Sequence, residues 1–125
     1  MGEPLRAKIP VYANINRRTL DRTPEGFANS ASDAIRAGFN AIKIAPFDSL
    51  DSEKSKIETI KFIDEGVARV DAIRRAIGSD ARLMVDCHWR FNEMSAHRPR
   101  LNWPNLTLTG LNVRSTKQSI TFPRF

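Results

Sequence analysis

The stretch Gly38-Phe39-Asn40-Ala41-Ile42-Lys43-Ile44-Ala45-Pro46-Phe47-Asp48 decides the fold. Phe39 to Ile44 reads as a short strand, mostly apolar, with Lys43 near its end. Short apolar strands of this kind are buried on both faces, as in parallel sheets covered by helices. Gly38 is the left-handed stop of a helix before the strand, and Ala45-Pro46-Phe47-Asp48 turns the chain after it.

Upstream, Thr23-Pro24 is a helix start, a hydroxyl cap followed by proline at the first helical position. Phe27, Ala31, Ala34 and Ile35 recur at helical spacing and form its buried stripe. Before it, Ile9 to Ile15 reads as a first strand, with Pro10 at its start. Downstream, a polar stretch from Ser49 to Lys56 leads to a second helix. Its stripe is Ile63, Val67, Val70, Ile73 and Ile77, and Gly78 closes it. Arg82 to Cys87 is the third strand. The order is β-α-β-α-β, an α/β class with parallel strands and right-handed crossovers. It predicts an open doubly wound sheet or part of a (β/α) barrel, which needs eight strands and about 250 residues to close.

The 125 residues suffice for one core, with 41% apolar side chains. The single cysteine, Cys87, excludes an internal disulfide framework and points to a reducing, cytoplasmic setting. No apolar run is long enough to span a membrane, and no secretion signal opens the chain. The net charge of +6 is unevenly placed. Residues 1–93 carry 15 Lys and Arg against 14 Asp and Glu; residues 94–125 carry five basic side chains and no acid. The chain therefore divides into an electrically balanced domain, 1–93, and an irregular basic tail, 94–125.

In parallel α/β folds, function gathers beyond the C-terminal strand ends. Those positions hold Asn14 and Asn16 on the first strand, Lys43 on the second, and Asp86, His88 and Arg90 on the third. With a period of two, Asp86-x-His88-x-Arg90 would point to one face. A carboxylate, an imidazole and an ammonium on one rim suit binding a hard cation and moving a proton. Each also has a plainer reading. Lys43 could snorkel to solvent, Asp86 could cap a turn, His88 could be a satisfied polar residue, and Cys87 is a small buried apolar group.

Three segments carry a resemblance: Val11 to Arg17 (V-Y-A-N-I-N-R), Gly38 to Asp48, and Leu83 to Phe91 (L-M-V-D-C-H-W-R-F). Together they resemble the first three strands of the barrel domain of the enolase superfamily, on the mandelate racemase and muconate lactonizing enzyme branch, among the acid-sugar dehydratases. The resemblance implies a partial (β/α)8 TIM-type barrel of about three β-α units. It implies that Asp86 is the first of three Mg²⁺ ligands and that Lys43 faces the substrate carboxylate. The second lysine of the family's K-x-K pair is replaced by Ala45. His88 matches a catalytic acid/base histidine of the dehydratases. Asn14, Asn16 and Arg90 are the expected substrate contacts. The implied chemistry is abstraction of the proton α to a sugar-acid carboxylate, with Mg²⁺ and Lys43 stabilising the enediolate.

No acid follows Glu93, so the other two metal ligands of the family have no counterpart. The expectation is a fragment of a Mg²⁺-dependent carbon–oxygen lyase, inactive alone, or one completed by a partner chain. The tail reads as out-of-frame translation. With allowed codons CTT ACT GGT TTG AAT GTC CGA TCG ACG AAA for Leu108 to Lys117, the frame one base earlier reads Y-W-F-E-C-P-I-D-E. Its W-F-E-x-P resembles the family's fourth strand and second metal ligand. The alternative is a small basic interaction or nucleic-acid-binding protein, using Trp103 and the tail cations. Five charges over 32 residues, with no binding motif, make nucleic acid the weaker reading.

Overall fold

The computed structural model describes residues 8–48, 55–88 and 110–112. In chain order the elements are β1 (Ala13–Asn14), α1 (Pro24–Arg36), β2 (Ala41–Ile44), α2 (Lys56–Ile77), β3 (Arg82–Asp86) and β4 (Gly110–Asn112). The strands form one sheet in the order β1-β2-β3-β4, and all pairs are parallel.

Both helices start and stop where their side chains direct. Thr23 caps α1 by accepting from the Gly26 amide, with Pro24 at the first position. Ala37 is its last cap, followed by Gly38 at φ 94°. Gly38 N–H donates to the Ile35 carbonyl and Phe39 N–H to Ala34, the paired bonds of a Schellman stop. Ser55 opens α2 with a reciprocal capping box to Glu58, and Gly78 closes it.

The two helices pack on each other and on one face of the sheet. Phe27, Ala31 and Ala34 of α1 meet Ile63, Val70 and Ile73 of α2 over Ile42, Ile44, Leu83 and Val85. Ile35, Val67 and Ile77 flank this core, partly buried. The opposite sheet face carries Asn14, Lys43, Arg82, Met84 and Asp86 by alternation. The burial on both faces expected from the apolar strand runs is complete on the helix side and partial on the other, where Ala41 and Asp86 are buried, Lys43 and Met84 half-buried and Arg82 exposed.

The first strand is shorter than its composition predicts, with two residues instead of seven. Proline at position 10 has no N–H to donate, and Ile9, Val11 and Tyr12 lie exposed beyond the pairing with β2. At the other edge, β4 adds a rung where the sequence predicts irregular chain, with Asn112 in register with Asp86. The rest of the tail, and with it Trp103, lies outside the described residues.

Candidate active site

β2 and β3 end side by side, with Lys43 paired to Met84 and Ile44 to Val85. Lys43 leans across to the third strand, where its Nζ lies 2.9 Å from Asp86 Oδ2. Asp86 is a buried carboxylate with a partner on each oxygen: Lys43 on Oδ2, and the His88 backbone N–H on Oδ1 at 3.2 Å. Burial pushes its pKa upward, but the hydrogen bonds from Lys43 and His88 and the positive charge nearby outweigh that and hold it below the usual carboxylate range. Lys43 is held above its ordinary value, chiefly by the hydrogen bond to Asp86. Its ammonium also lies 5.8 Å from the centre of the Tyr12 ring.

His88 reaches this pair by a turn. β3 ends at Asp86, and His88 has φ 46° in the left-handed region, so strand alternation is not what brings the two together. The Asp86 side chain caps the turn, as its plainer reading expected, and this brings His88 Nε2 to 3.4 Å from Asp86 Oδ2. The other ring nitrogen, Nδ1, lies 3.1 Å from Asp48 Oδ1. Cys87 between them is buried among apolar neighbours, and burial pushes its thiol well up.

Asp48, at the end of the turn after β2, is a rim residue that no local sequence signal singles out. It accepts from the Asn16 side-chain amide and lies 3.9 Å from Arg22 Nη2. Arg22 also donates to the Asn16 carbonyl at 2.7 Å and stacks 4.6 Å from the Phe27 ring centre. Arg69, on α2, donates to the carbonyls of Arg22 and Pro46, both at 2.8 Å. It ties the loop after β1 to the loop after β2. Gly66 leaves the room for this: a Cβ there would stand 2.3 Å from the Phe47 ring, next to Asp48. An isolated glycine inside a helical pattern was the available signal.

Of the expected site residues, Lys43, Asp86 and His88 come together at one rim. Asn16 is braced to Asp48 and Arg22, and Asn14 accepts from the Asn16 amide at 3.2 Å from the exposed edge. Arg90 lies outside the described residues. Among the described residues, no three acid, imidazole or thiol groups converge to hold a metal ion. Asp86 is already engaged on both oxygens, so the donor set present does not fit Mg²⁺. Among those residues no helix is long and apolar enough to cross a membrane.

Parallel strands, two helices on one face and a polar rim at the strand ends are the architecture of a stretch of β/α barrel. Residues 26–99 match the family model described as enolase C-terminal domain-like, and the chain belongs to that family. It is 35% identical over 97 residues to a D-gluconate dehydratase of Thermoproteus tenax, covering 77% of this chain. It also resembles the crystal structure of a proposed dehydratase from Mesorhizobium loti, at TM-score 0.75 and 25% identity, covering 88% of this chain and 29% of that one. D-glucarate dehydratase from Agrobacterium tumefaciens, solved complexed with magnesium, shares the fold at TM-score 0.66 and 21% identity, over 89% of this chain and 28% of that one. The chain spans 18% of the length of the gluconate dehydratase. The match is to enzymes of the sugar-acid dehydratase type, and nothing in it supports the basic-binder alternative.

Proposed function

We propose that the rim formed by Lys43, Asp86 and His88 is the part of a sugar-acid dehydratase site that meets the substrate carboxylate and the departing hydroxyl. One oxygen carries this reading: Asp86 Oδ2, with an ammonium at 2.9 Å and an imidazole nitrogen at 3.4 Å. Loss of water from a polyhydroxy acid needs a base to take the α-proton, positive charge where negative charge then develops on the carboxylate, and a proton for the leaving β-hydroxyl. This rim is assigned the last two, and the base belongs to the rest of the barrel. Lys43 supplies the charge, and His88 gives the proton from Nε2. Asn14 and Arg90 are the proposed contacts to the sugar hydroxyls. Asn16 fixes the loop beside them. An aldonic acid such as gluconate, the substrate in the relative's name, is the expected ligand class.

The chain by itself is not expected to turn over. Magnesium keeps an octahedral oxygen shell and gives up water reluctantly, so Mg²⁺ dependence belongs to a barrel with further acids beside Asp86. The reading frame bears on where one such acid lies. In the frame one base earlier, the glutamate of W-F-E-x-P falls at position 112. The parallel pairing of Asn112 with Asp86 supports that assignment. Sequencing the gene and its flanks tests it: absence of an upstream-frame continuation rejects the shift.

For the site itself, the chain is titrated with D-gluconate and followed by amide NMR, then assayed for 2-keto acid with Mg²⁺. Weak binding that moves the Lys43 and Asp86 resonances and is lost in Lys43→Met is expected, with no keto acid formed. Turnover by this chain unaided would overturn its incompleteness; gluconate that leaves those resonances in place would overturn the site.

A further inference from the structure

Asp48 stands 40 residues before His88 in the chain, yet its Oδ1 lies 3.1 Å from the ring Nδ1. We propose that Asp48 is the positioning residue for His88, holding the neutral ring as the Nδ1–H form with Nε2 turned to Lys43 and Asp86. This rests on the reading of His88 as the proton donor and adds what sets its working atom.

The chemistry of the contact fixes the direction of the bond. Each ring nitrogen faces a carboxylate, but only Nδ1 is in a hydrogen bond, to Asp48 at 3.1 Å. Nε2 lies 3.4 Å from Asp86 Oδ2 and makes none to it. A carboxylate only accepts, so Nδ1 carries the hydrogen of the neutral ring. In a neutral imidazole the other nitrogen then bears the lone pair. Asp48 is itself restrained on three sides. The Asn16 amide donates to it, Arg22 stands 3.9 Å away, and the neighbouring Phe47 ring is lodged against Gly66. The other end of His88 is restrained too, because its backbone N–H is tied to Asp86. The ring is thus held from two separate loops, and Nε2 is the nitrogen left to take up a proton and pass it to a substrate oxygen.

The test reads the tautomer directly, by two-bond proton–nitrogen correlation on the full chain labelled at histidine, at a pH where the ring is neutral. Wild type is expected to show His88 as Nδ1–H. Asp48→Ala is expected to revert to the Nε2–H form that free imidazole side chains favour in water. Asp48→Asn, whose amide oxygen still accepts, is expected to retain Nδ1–H. A merely structural role for Asp48 would alter the amide fingerprint of β2 and β3 without producing this order of tautomers. An Nε2–H ring in wild type, or the same tautomer in Asp48→Ala as in wild type, overturns the proposal. Failure of gluconate to bind would reject the proposed function and leave the tautomer result standing, so the two are separable.

Discussion

The two faces of the sheet differ in what they are made to do. On the helix side, Ile42, Ile44, Leu83 and Val85 are 0–1% exposed and lie against Phe27, Ile63, Val70 and Ile73. One residue along each strand, the other face presents Lys43, Met84 and Asp86, where two charges meet at 2.9 Å. The first face removes apolar area from water, roughly 1.5–3 kcal/mol for each fully buried aliphatic side chain. The second face holds charge ready. A strand with a period of two can do both without compromise, because neighbouring residues never share a face.

The largest break of this comparison is a pair of truncations one residue apart. Leu83→Ala should lower stability by about 2–5 kcal/mol, the usual cost of a cavity in a packed core. Met84→Ala, on the half-buried face, should cost well under half as much. Urea unfolding of both variants checks it, and equal losses would mean that the two faces are equally packed. Next in size is Gly66→Ala. The added methyl would meet the buried Phe47 ring, with an overpacking cost of about 1–3 kcal/mol, partly offset by about 1 kcal/mol of helix propensity. Because Phe47 precedes Asp48, this variant should also shift the His88 resonances, linking the packed side to the rim.

The open face has its own signature, in pH. Asp86 has a lowered pKa in the folded chain, so its contribution is present above the ordinary value of 3.8 and is lost as pH falls through the folded value. Lys43 has a raised one, so its contribution is present below 10.5 and is lost as pH rises through the folded value. Stability should therefore form a plateau between these limits. Lys43→Met should lower the plateau by about 1–3 kcal/mol, since it leaves a buried carboxylate short of a partner. It should also remove the alkaline limb. Melting temperatures measured across this range check the sign. An unchanged alkaline limb would mean that another group titrates there.

The covered face was the more legible of the two. Apolar spacing at Phe27, Ala31 and Ala34, and the stops at Gly38 and Gly78, are local signals, and the helices follow them. Lys43 and Asp86 were legible because position at the end of a parallel strand is itself local information. His88 was legible from its place past the end of the third strand, but the strand alternation expected to turn it to the face of Asp86 does not apply, because the strand stops at Asp86 and a turn does the work. Asp48, Arg22 and Arg69 stayed hidden for a different reason. Their partners lie 6 to 47 residues away, in loops whose approach depends on the packing of α2, and no periodicity encodes that. β1 was overread because apolar residues at 9, 11 and 12 look like strand whether or not a neighbour pairs with them.

The smallest expected effect sharpens the contrast most. A non-glycine residue in the left-handed region, as His88 is at φ 46°, costs about 1 kcal/mol relative to glycine there. His88→Gly would relieve that cost, while the freer glycine backbone would lose about 0.5–1 kcal/mol of unfolded-state entropy on folding. The backbone N–H that binds Asp86 Oδ1 remains in either case. The two effects nearly cancel, so stability should stay within about 0.5 kcal/mol of wild type. Urea midpoints give the answer. A loss of more than about 1 kcal/mol would show that the imidazole, through Asp48 and Asp86, helps hold the fold. His88 would then join Lys43 and Asp86 in holding the fold, and could no longer be read as placed for chemistry at no gain in stability.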